Sequence, residues 1–325
     1  MAVQAAKTQP IHDGRSRTTW DAPRELSFRC PRCALDLRRN DCPRCGLRLE
    51  MHDGIVRALP PERAAHYARF IADYESIRAA EGRASEADDF YCELPHRDVT
   101  GRNCGQWRIR ACSYEALVRE VLPPAVPKGG RILDLGAGNC WMSFRLALAG
   151  YAPYAVDLLT NPEDGLGAAV HYRGHLSNLF PRFQAELSRL PFRNEQFDAV
   201  IFNASFHYAE DAEAALCEAL RCARPGGIVV ISDTPWYRRD ESGRQMVAER
   251  HAMYLARYGS ASDSLQSIEY LTDQRLKMLG ERAGIAWTIH TPRYGLKWKL
   301  RPLMAKLQGR REPSRFRIYV ARKAA

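Results

Sequence analysis

Apolar and polar positions near the middle of the chain follow two different periods. A short apolar run, residues 131–135, is typical of a buried parallel strand, and Gly136 and Gly138 follow it. Residues 141–148 then place apolar side chains over a broad helical surface, and a second apolar run ends at Asp157. The pattern predicts a strand, a glycine turn, a helix, a second strand and an acid. That order is typical of sites for an adenosine-containing cofactor.

The residue at position 141 distinguishes between two kinds of adenosine cofactor. Asp157 lies 19 residues after Gly138, near the offset of about 20 residues at which an acid meets ribose hydroxyls. Nicotinamide and flavin dinucleotide sites need a glycine at 141, so that the helix N-terminus can close on a pyrophosphate. Trp141 stands there, and its indole would block a diphosphate. A cofactor with a carboxylate and a sulfonium but no phosphate stays compatible, which favours S-adenosylmethionine.

Five segments in a fixed order resemble the motifs of the class I S-adenosylmethionine-dependent methyltransferases. They are Asp134-Leu-Gly-Ala-Gly138, Asp157, Glu186-Leu-Ser-Arg-Leu-Pro-Phe192, Phe197-Asp-Ala-Val-Ile-Phe-Asn203 and Arg224-Pro-Gly-Gly-Ile-Val-Val-Ile-Ser-Asp233. The resemblance is strongest to the type 11 group, which includes the ubiquinone and menaquinone biosynthesis enzymes. It implies an α/β fold with a doubly wound, Rossmann-like sheet of seven strands.

The resemblance also implies which residues bind the cofactor. These are Asp134, Gly136, Gly138, Asp157, Leu158, Glu186, Leu187 and Asn203. Glu186 would lie beside the adenine and accept a hydrogen bond from its amine, although Asp is usual at this position. Cys140 stands where a third small residue, usually Gly, is common.

Four cysteines near the N-terminus have the spacing of a closed metal site. Cys30, Cys33, Cys42 and Cys45 form the pattern C-x2-C-x8-C-x2-C, which is specific for a tetrahedral structural centre. We expect zinc, with iron as the less favoured alternative because Cys-Pro-x-Cys-Gly is also the iron-binding turn of rubredoxin. The module resembles the zinc ribbons that accompany several RNA and protein methyltransferases. It could recognise a substrate or only stabilise the fold.

Residues for the acceptor side are predicted from their places relative to the expected strands. Residues 61–80 are expected to form an amphipathic helix that mainly serves packing. The family places a substrate lid before the first strand, which nominates Tyr91, Arg108 and Arg110. Tyr237 is a separate substrate candidate because it follows the fifth strand. His207 and Tyr208 follow the fourth strand and are the catalytic candidates, with His207 as general base if the acceptor must lose a proton.

The positive charge is concentrated at the C-terminus. The formal net charge is +10, and the last segment, residues 293–325, holds eleven Lys or Arg and one acid. Strands are expected at 286–290 and 316–321, with a basic amphipathic insertion at 296–311 between them. In the family's sheet the sixth strand is parallel and the seventh antiparallel, so the insertion would lie beside the active site. It suits an anionic substrate, RNA or a membrane surface, or a simple lid helix.

The predicted organisation has four parts. They are a flexible N-terminus at 1–25, a zinc-ribbon-like module at 26–58, a helical connector and substrate lid at 59–125, and the methyltransferase domain at 126–325. No apolar run approaches the roughly 18 residues that span a bilayer, and no signal segment is evident, so we expect a cytoplasmic protein with reduced thiols.

The sequence therefore predicts an S-adenosylmethionine-dependent methyltransferase. Its expected acceptor is a small or lipid-like metabolite of unknown identity. An RNA methyltransferase that uses the cysteine module and the basic C-terminal segment is the first alternative. A non-catalytic cofactor-binding protein with the same fold is the second.

Overall fold

The computed structural model describes residues 26–324; the predicted flexible N-terminus, 1–25, lies outside the described residues. The strands are β1 (Glu50–His52), β2 (Ile55–Arg57), β3 (Arg131–Leu135), β4 (Ala152–Asp157), β5 (Arg182–Gln184), β6 (Phe197–Asn203), β7 (Ala223–Ser232), β8 (Trp287–His290) and β9 (Ile318–Arg322). The α-helices are α1 (Pro61–Ala80), α2 (Asp88–Glu93), α3 (Cys104–Ala116), α4 (Trp141–Leu148), α5 (Ala212–Cys222), α6 (Asp240–Tyr258), α7 (Asp273–Ala283) and α8 (Leu296–Leu307). A π-helical turn, Leu117–Val121, continues α3, and 3-10 helices cover Leu166–Tyr172 and Phe206–Tyr208.

The strands form one mixed sheet in the order β1-β2-β5-β4-β3-β6-β7-β9-β8. Strands β5, β4, β3, β6 and β7 pair in parallel, whereas β9 runs antiparallel to both β7 and β8. The directions expected for the last two strands are therefore confirmed. The predicted count of seven strands is wrong, since the described residues contain nine. The two extra strands, β1 and β2, come from the cysteine module, and β2 pairs in parallel with β5.

A tight turn at Asp53 and Gly54 makes the extra strands possible. Both residues have positive φ, 55° and 71°, as the two-residue hairpin turn that follows the twist of a strand pair requires. Gly54 is also held close to the sheet, because a Cβ there would lie 2.6 Å from Nη2 of Arg182. The sequence Asp-Gly thus builds a hairpin that can seat on the sheet edge.

Helices cover both faces of the sheet. On β3, Leu133 and Leu135 belong to a core cluster shared with α5, whereas Ile132 faces the cluster that contains residues of α3 and α4. This alternation gives strands that are apolar on both faces, as in a parallel sheet with helices on each side. The Rossmann-like α/β architecture predicted from the sequence is confirmed.

Helix α1 matches the predicted residues 61–80 and lies over the end of the sheet where the parallel strands finish. Its Tyr67 and Phe70 pack in a small cluster with Leu158, which follows β4, and Tyr208, which follows β6. Ligands of parallel α/β sheets bind outside the carboxyl ends of the strands. Helix α1 therefore covers the edge at which a ligand is expected.

The cysteine module shares its apolar core with the sheet. Phe28 packs against Phe192 and Phe183, with ring centroids 6.0 and 5.8 Å apart, and the amide of Arg29 donates to the carbonyl of Pro191 at 3.0 Å. The module is thus fastened to the sheet surface. Among the helices between residues 26 and 324, none has both the length and the apolar composition needed to cross a membrane.

Candidate active site

The loop after β3 takes a conformation that needs its glycines. Gly136 and Gly138 have φ of +73° and +53°, in the region that side chains disfavour. A Cβ on Gly136 would lie 2.2 Å from the Cβ of Ser205, whose hydroxyl donates to the carbonyl of Leu135 at 2.5 Å. The first glycine therefore permits both the turn and the close approach of the loop after β6.

Asp157, at the end of β4, fixes the position of this loop. One carboxylate oxygen accepts the amide of Gly138 at 2.8 Å, and the other accepts the amide of Leu159 at 2.8 Å. Burial raises the pKa of Asp157 to about 6, although these backbone hydrogen bonds oppose the shift. The acid thus holds the glycine loop and also lines the cavity beside it.

Asp134, on β3, presents an unpaired oxygen in the same place. Its Oδ2 accepts the hydroxyl of Ser143 at 2.7 Å, whereas Oδ1 has no hydrogen-bond partner among residues 26–324. The side chain is 1% exposed, and burial raises its pKa to about 7. A buried acceptor without a partner is rare and costly, so a ligand donor is expected at Oδ1.

A first cavity opens between the glycine loop and helix α1. Seven of the eight predicted cofactor residues line it, namely Asp134, Gly136, Gly138, Asp157, Leu158, Leu187 and Asn203. Trp141 lines it too, with its ring edge-to-face against Trp107 at 5.9 Å. The sequence motifs that point to an adenosine cofactor therefore converge on one cavity.

Glu186 is the predicted cofactor residue that does not line this cavity. Its carboxylate receives Nε of Arg63 at 3.0 Å and the hydroxyl of Tyr67 at 3.0 Å, both from α1. The two neighbours Ala185 and Leu187 line the cavity instead. Contact between Glu186 and an adenine amine stays a prediction, and such an amine would have to compete with the two partners on α1.

Helix α1 contributes more to the site than packing. Tyr67, Phe70, Tyr74 and Arg78, spaced three or four residues apart, line the first cavity. The guanidinium of Arg78 binds both carboxylate oxygens of Asp164 in the loop after β4, at 2.5 and 3.0 Å. This bidentate ion pair holds α1 over the cavity. The spacing of the aromatic residues on α1 was the available sequence signal for this helix, but it did not show that the helix would pair with the loop after β4.

A second, larger cavity adjoins the first. Seven residues line both cavities, namely Phe70, Tyr74, Arg78, Arg110, Ala204, Tyr208 and Leu265. Beyond these shared residues the second cavity extends between α3, α6 and α8. A ligand in the first cavity could therefore meet a second molecule at the shared wall.

Four residues in the walls of the second cavity carry a buried polar atom without a hydrogen-bond partner in the described part of the chain. Within residues 26–324, its walls include the unpaired atoms Arg83 Nη1, His207 Nδ1, Asp233 Oδ2 and Arg250 Nε. Burial, followed by the charges of Arg250 and Arg110, lowers the pKa of His207 to about 3, so the imidazole is neutral at pH 7. Burial raises the pKa of Asp233 to about 6, although a hydrogen bond from Ser113 opposes it. The cavity wall thus offers both donors and acceptors to a polar molecule.

The predicted catalytic and substrate residues are not all brought together. His207 lines the second cavity, and Tyr208 and Arg110 line both. Tyr91, Arg108 and Tyr237 line neither. Arg108 is exposed on α3, the hydroxyl of Tyr91 donates to the carbonyl of Glu163 at 2.7 Å, and that of Tyr237 accepts Nη1 of Arg311 at 3.3 Å. None of these three residues faces either cavity, and their substrate roles stay predictions.

The four cysteines of the N-terminal module converge as their spacing predicts. Their sulfur atoms all lie within 4.8 Å of one another, and three Sγ···Sγ distances are 3.2 Å (Cys33 to Cys42), 3.5 Å (Cys30 to Cys45) and 3.8 Å (Cys33 to Cys45). Four sulfurs about 2.3 Å from one zinc ion would be about 3.8 Å apart. The donor set therefore fits a tetrahedral thiolate site and is far from disulfide geometry.

The glycine loop and the cavity beside it coincide with a family match. Residues 133–231 match the family model described as "Methyltransferase domain". The match and the site geometry support the class of a Rossmann-like S-adenosylmethionine-dependent methyltransferase for this part of the chain.

Several curated relatives that the chain matches carry methyltransferase names. The chain is 33% identical over 127 residues to a demethylmenaquinone methyltransferase of a Mycobacterium species (strain KMS), a stretch that covers 39% of this chain and 47% of the relative. It is 30% identical over 169 residues to the enzyme of that name from Clavibacter sepedonicus, which covers 51% of this chain and 63% of the relative. The chain thus spans about half the length of most of the curated relatives it matches. A solved S-adenosylmethionine-dependent methyltransferase from Mesorhizobium loti overlaps with 22% identity and a TM-score of 0.45, over 66% of this chain and 99% of that one.

Proposed function

We propose that the protein transfers a methyl group from S-adenosylmethionine to a small or lipid-like metabolite. The observation that carries the proposal is the meeting of two cavities at Ala204 and Tyr208. One is built on a glycine loop fixed by an acid, and the other is walled by polar atoms that lack partners. A donor and an acceptor can thus face each other across a shared wall.

The residues of the first cavity suit each part of this cofactor. Asp157 would receive the ribose hydroxyls, and Oδ1 of Asp134 would receive the ammonium of the methionine part. The aromatic rings of Tyr74, Trp141 and Tyr208 would surround a sulfonium, which aromatic faces attract. When bound, the cofactor supplies a methyl group on a cationic sulfur that departs as a neutral thioether once the acceptor's lone pair bonds to the methyl carbon.

The protein's own contribution is mainly positioning. Holding two reactants in line can supply about 7 to 11 kcal/mol of the barrier, and closure of α1 by the Arg78–Asp164 pair would exclude water from the first cavity. His207, neutral at pH 7, would accept a hydrogen bond from the acceptor at Nδ1 and orient it. A pKa of about 3 makes His207 a weak base, whereas Asp233, with a pKa of about 6, is better matched to take a proton at neutral pH.

The cysteine module supports a second proposal, a structural zinc site. All four donors come from the protein, which leaves no coordination position for substrate and is the pattern of a stabilising centre. Phe28 and the backbone of Arg29 join the module to the sheet, so the metal would also brace the sheet edge. Recognition of a substrate by the module stays the alternative.

Calorimetric titration tests the cofactor assignment directly. We expect binding of S-adenosylmethionine and of its demethylated product, S-adenosylhomocysteine, and no binding of NAD or FAD. A protein that ignores both sulfur compounds and binds a nicotinamide or flavin would overturn the proposal. Transfer of a labelled methyl group to a metabolite or lipid fraction would then identify the acceptor class. Label appearing in RNA instead would select the RNA alternative.

A further inference from the structure

Helix α8 carries an apolar stripe that faces solvent. The five large apolar residues of the stripe are exposed by 72% (Leu296), 43% (Leu300), 55% (Leu303), 50% (Met304) and 73% (Leu307), and the helix has no buried residue. Their spacing of three and four places them on one side of the helix. Monomeric proteins seldom leave so continuous an apolar surface without an occupant.

The stripe points away from the rest of the protein. At about 100° per residue, its members fall within about 100° of the helix circumference. The half-buried residues Trp298, Arg301 and Ala305 are centred roughly opposite, and Arg301 holds its guanidinium 3.9 Å from the ring of Trp298. The helix is therefore already packed on its polar and aromatic side, and the outward side is the apolar one.

Cations border the stripe on both sides. With the same rotation of about 100° per residue, Lys297 lies on one border of the stripe, and Lys299 and Lys306 lie on the other. All three are exposed, and α8 contains no acid. An apolar centre flanked by lysines is the arrangement of a helix that lies in the surface of an anionic bilayer, because long basic side chains can reach the headgroups while the apolar ones enter the acyl boundary. An RNA-binding face would instead put its cations at the centre, toward the phosphates.

We propose that α8 docks flat on an anionic lipid surface. Charge favours this occupant, since residues 293–325 carry eleven Lys or Arg and one acid. The opposite side of the same helix contributes Trp298 and Arg301 to the wall of the second cavity. Docking would thus bring that cavity to the lipid, and a lipid-like acceptor could enter from the bilayer. This last step rests on the proposed methyl transfer, whereas the docking does not.

Vesicle sedimentation tests the docking with the full chain. Vesicles of phosphatidylcholine mixed with phosphatidylglycerol should carry the protein into the pellet, those of phosphatidylcholine alone should carry less, and added salt should weaken the binding. The double variant Leu303→Gln with Leu307→Gln should bind the mixed vesicles at least about tenfold more weakly, because two apolar side chains are lost from the interface. Leu148→Gln, on α4 and 51% exposed, is the matched control and should bind as the unaltered protein does.

The outcomes separate the docking from its rivals. Absence of vesicle binding, or equal losses in the double variant and in Leu148→Gln, would overturn the proposal. A dimer in solution that the double variant converts to monomer would assign the stripe to a second copy of the chain. RNA binding that the double variant retains, without vesicle binding, would assign the cations to RNA. Vesicle binding by a protein that fails to bind S-adenosylhomocysteine would keep the docking and reject the methyl transfer.

Discussion

Replacement of Asp157 by alanine should weaken binding of the cofactor and of its demethylated product. Both carboxylate oxygens of Asp157 accept backbone amides at 2.8 Å, from Gly138 and Leu159, and the side chain also lines the first cavity. Hydrogen bonds to a charged group contribute about 1.5–3 kcal/mol each. Losing the contacts to two ribose hydroxyls should therefore cost about 3–6 kcal/mol of binding, or roughly 150-fold to 25,000-fold in Kd for S-adenosylhomocysteine. Isothermal calorimetry measures this directly.

Asp198 provides the control for a purely structural acid. It is the second residue of β6, accepts the amide of Arg131 at 2.7 Å and pairs with Arg224 at 2.7 Å, and it does not line the first cavity. Asp198→Ala should lower the free energy of unfolding and leave the Kd of folded protein unchanged. The reasoning fails if Asp157→Ala keeps the original affinity, or if both variants lose affinity by the same factor in protein that circular dichroism shows to be folded.

Three further predictions follow from the site. Elemental analysis of purified protein should give one zinc ion per chain, and chelation should lower the melting temperature; a folded, metal-free protein of unchanged melting temperature would contradict this, and iron would select the alternative metal. The pKa of His207 is lowered to about 3 in the folded protein, so the unfolded chain takes up the proton first as the pH falls below about 6.5. Between pH 7.5 and pH 5.0 the free energy of unfolding, measured with urea, should therefore fall by about 2 kcal/mol more in the unaltered protein than in His207→Phe. Equal falls would refute the burial of a neutral imidazole. Arg78→Gln should speed release of S-adenosylhomocysteine about tenfold or more in stopped-flow fluorescence, because the pair that holds α1 closed is lost, whereas Arg69→Gln, an exposed residue of the same helix, should not; equal rates would remove the closing role.

The local features of the fold were readable from the sequence, because each is encoded within a few residues. The glycines at 136 and 138 carry the positive φ angles that their turn needs, and α1 spans the residues that its apolar spacing predicts. The acid at 157 reaches the loop because the two parallel strands β3 and β4 end side by side. Signals of this kind lie within a few neighbouring residues, so they can be read without knowledge of the rest of the fold.

Long-range contacts explain what the sequence left out. Strands β1 and β2 have three residues each, too few for periodicity to reveal, and they exist because the hairpin finds β5 more than a hundred positions later. The partners of Glu186 lie on α1, so its motif alone could not show that its carboxylate is already engaged. Likewise, the unpaired atoms of Asp134 and Asp233 are properties of their surroundings, which no local pattern records.

The hairpin of β1 and β2 covers a sheet edge at which another molecule could otherwise pair. Without it, β5 would end the sheet and present its open backbone groups to any extended segment of another molecule. With the hairpin in place, the strand at this edge of the sheet is β1, and its three residues make a poor template for further pairing. Since the hairpin directly follows the cysteine turns, oxidation of those thiols should first increase the turbidity of a protein solution, before any loss of ligand binding at the first cavity.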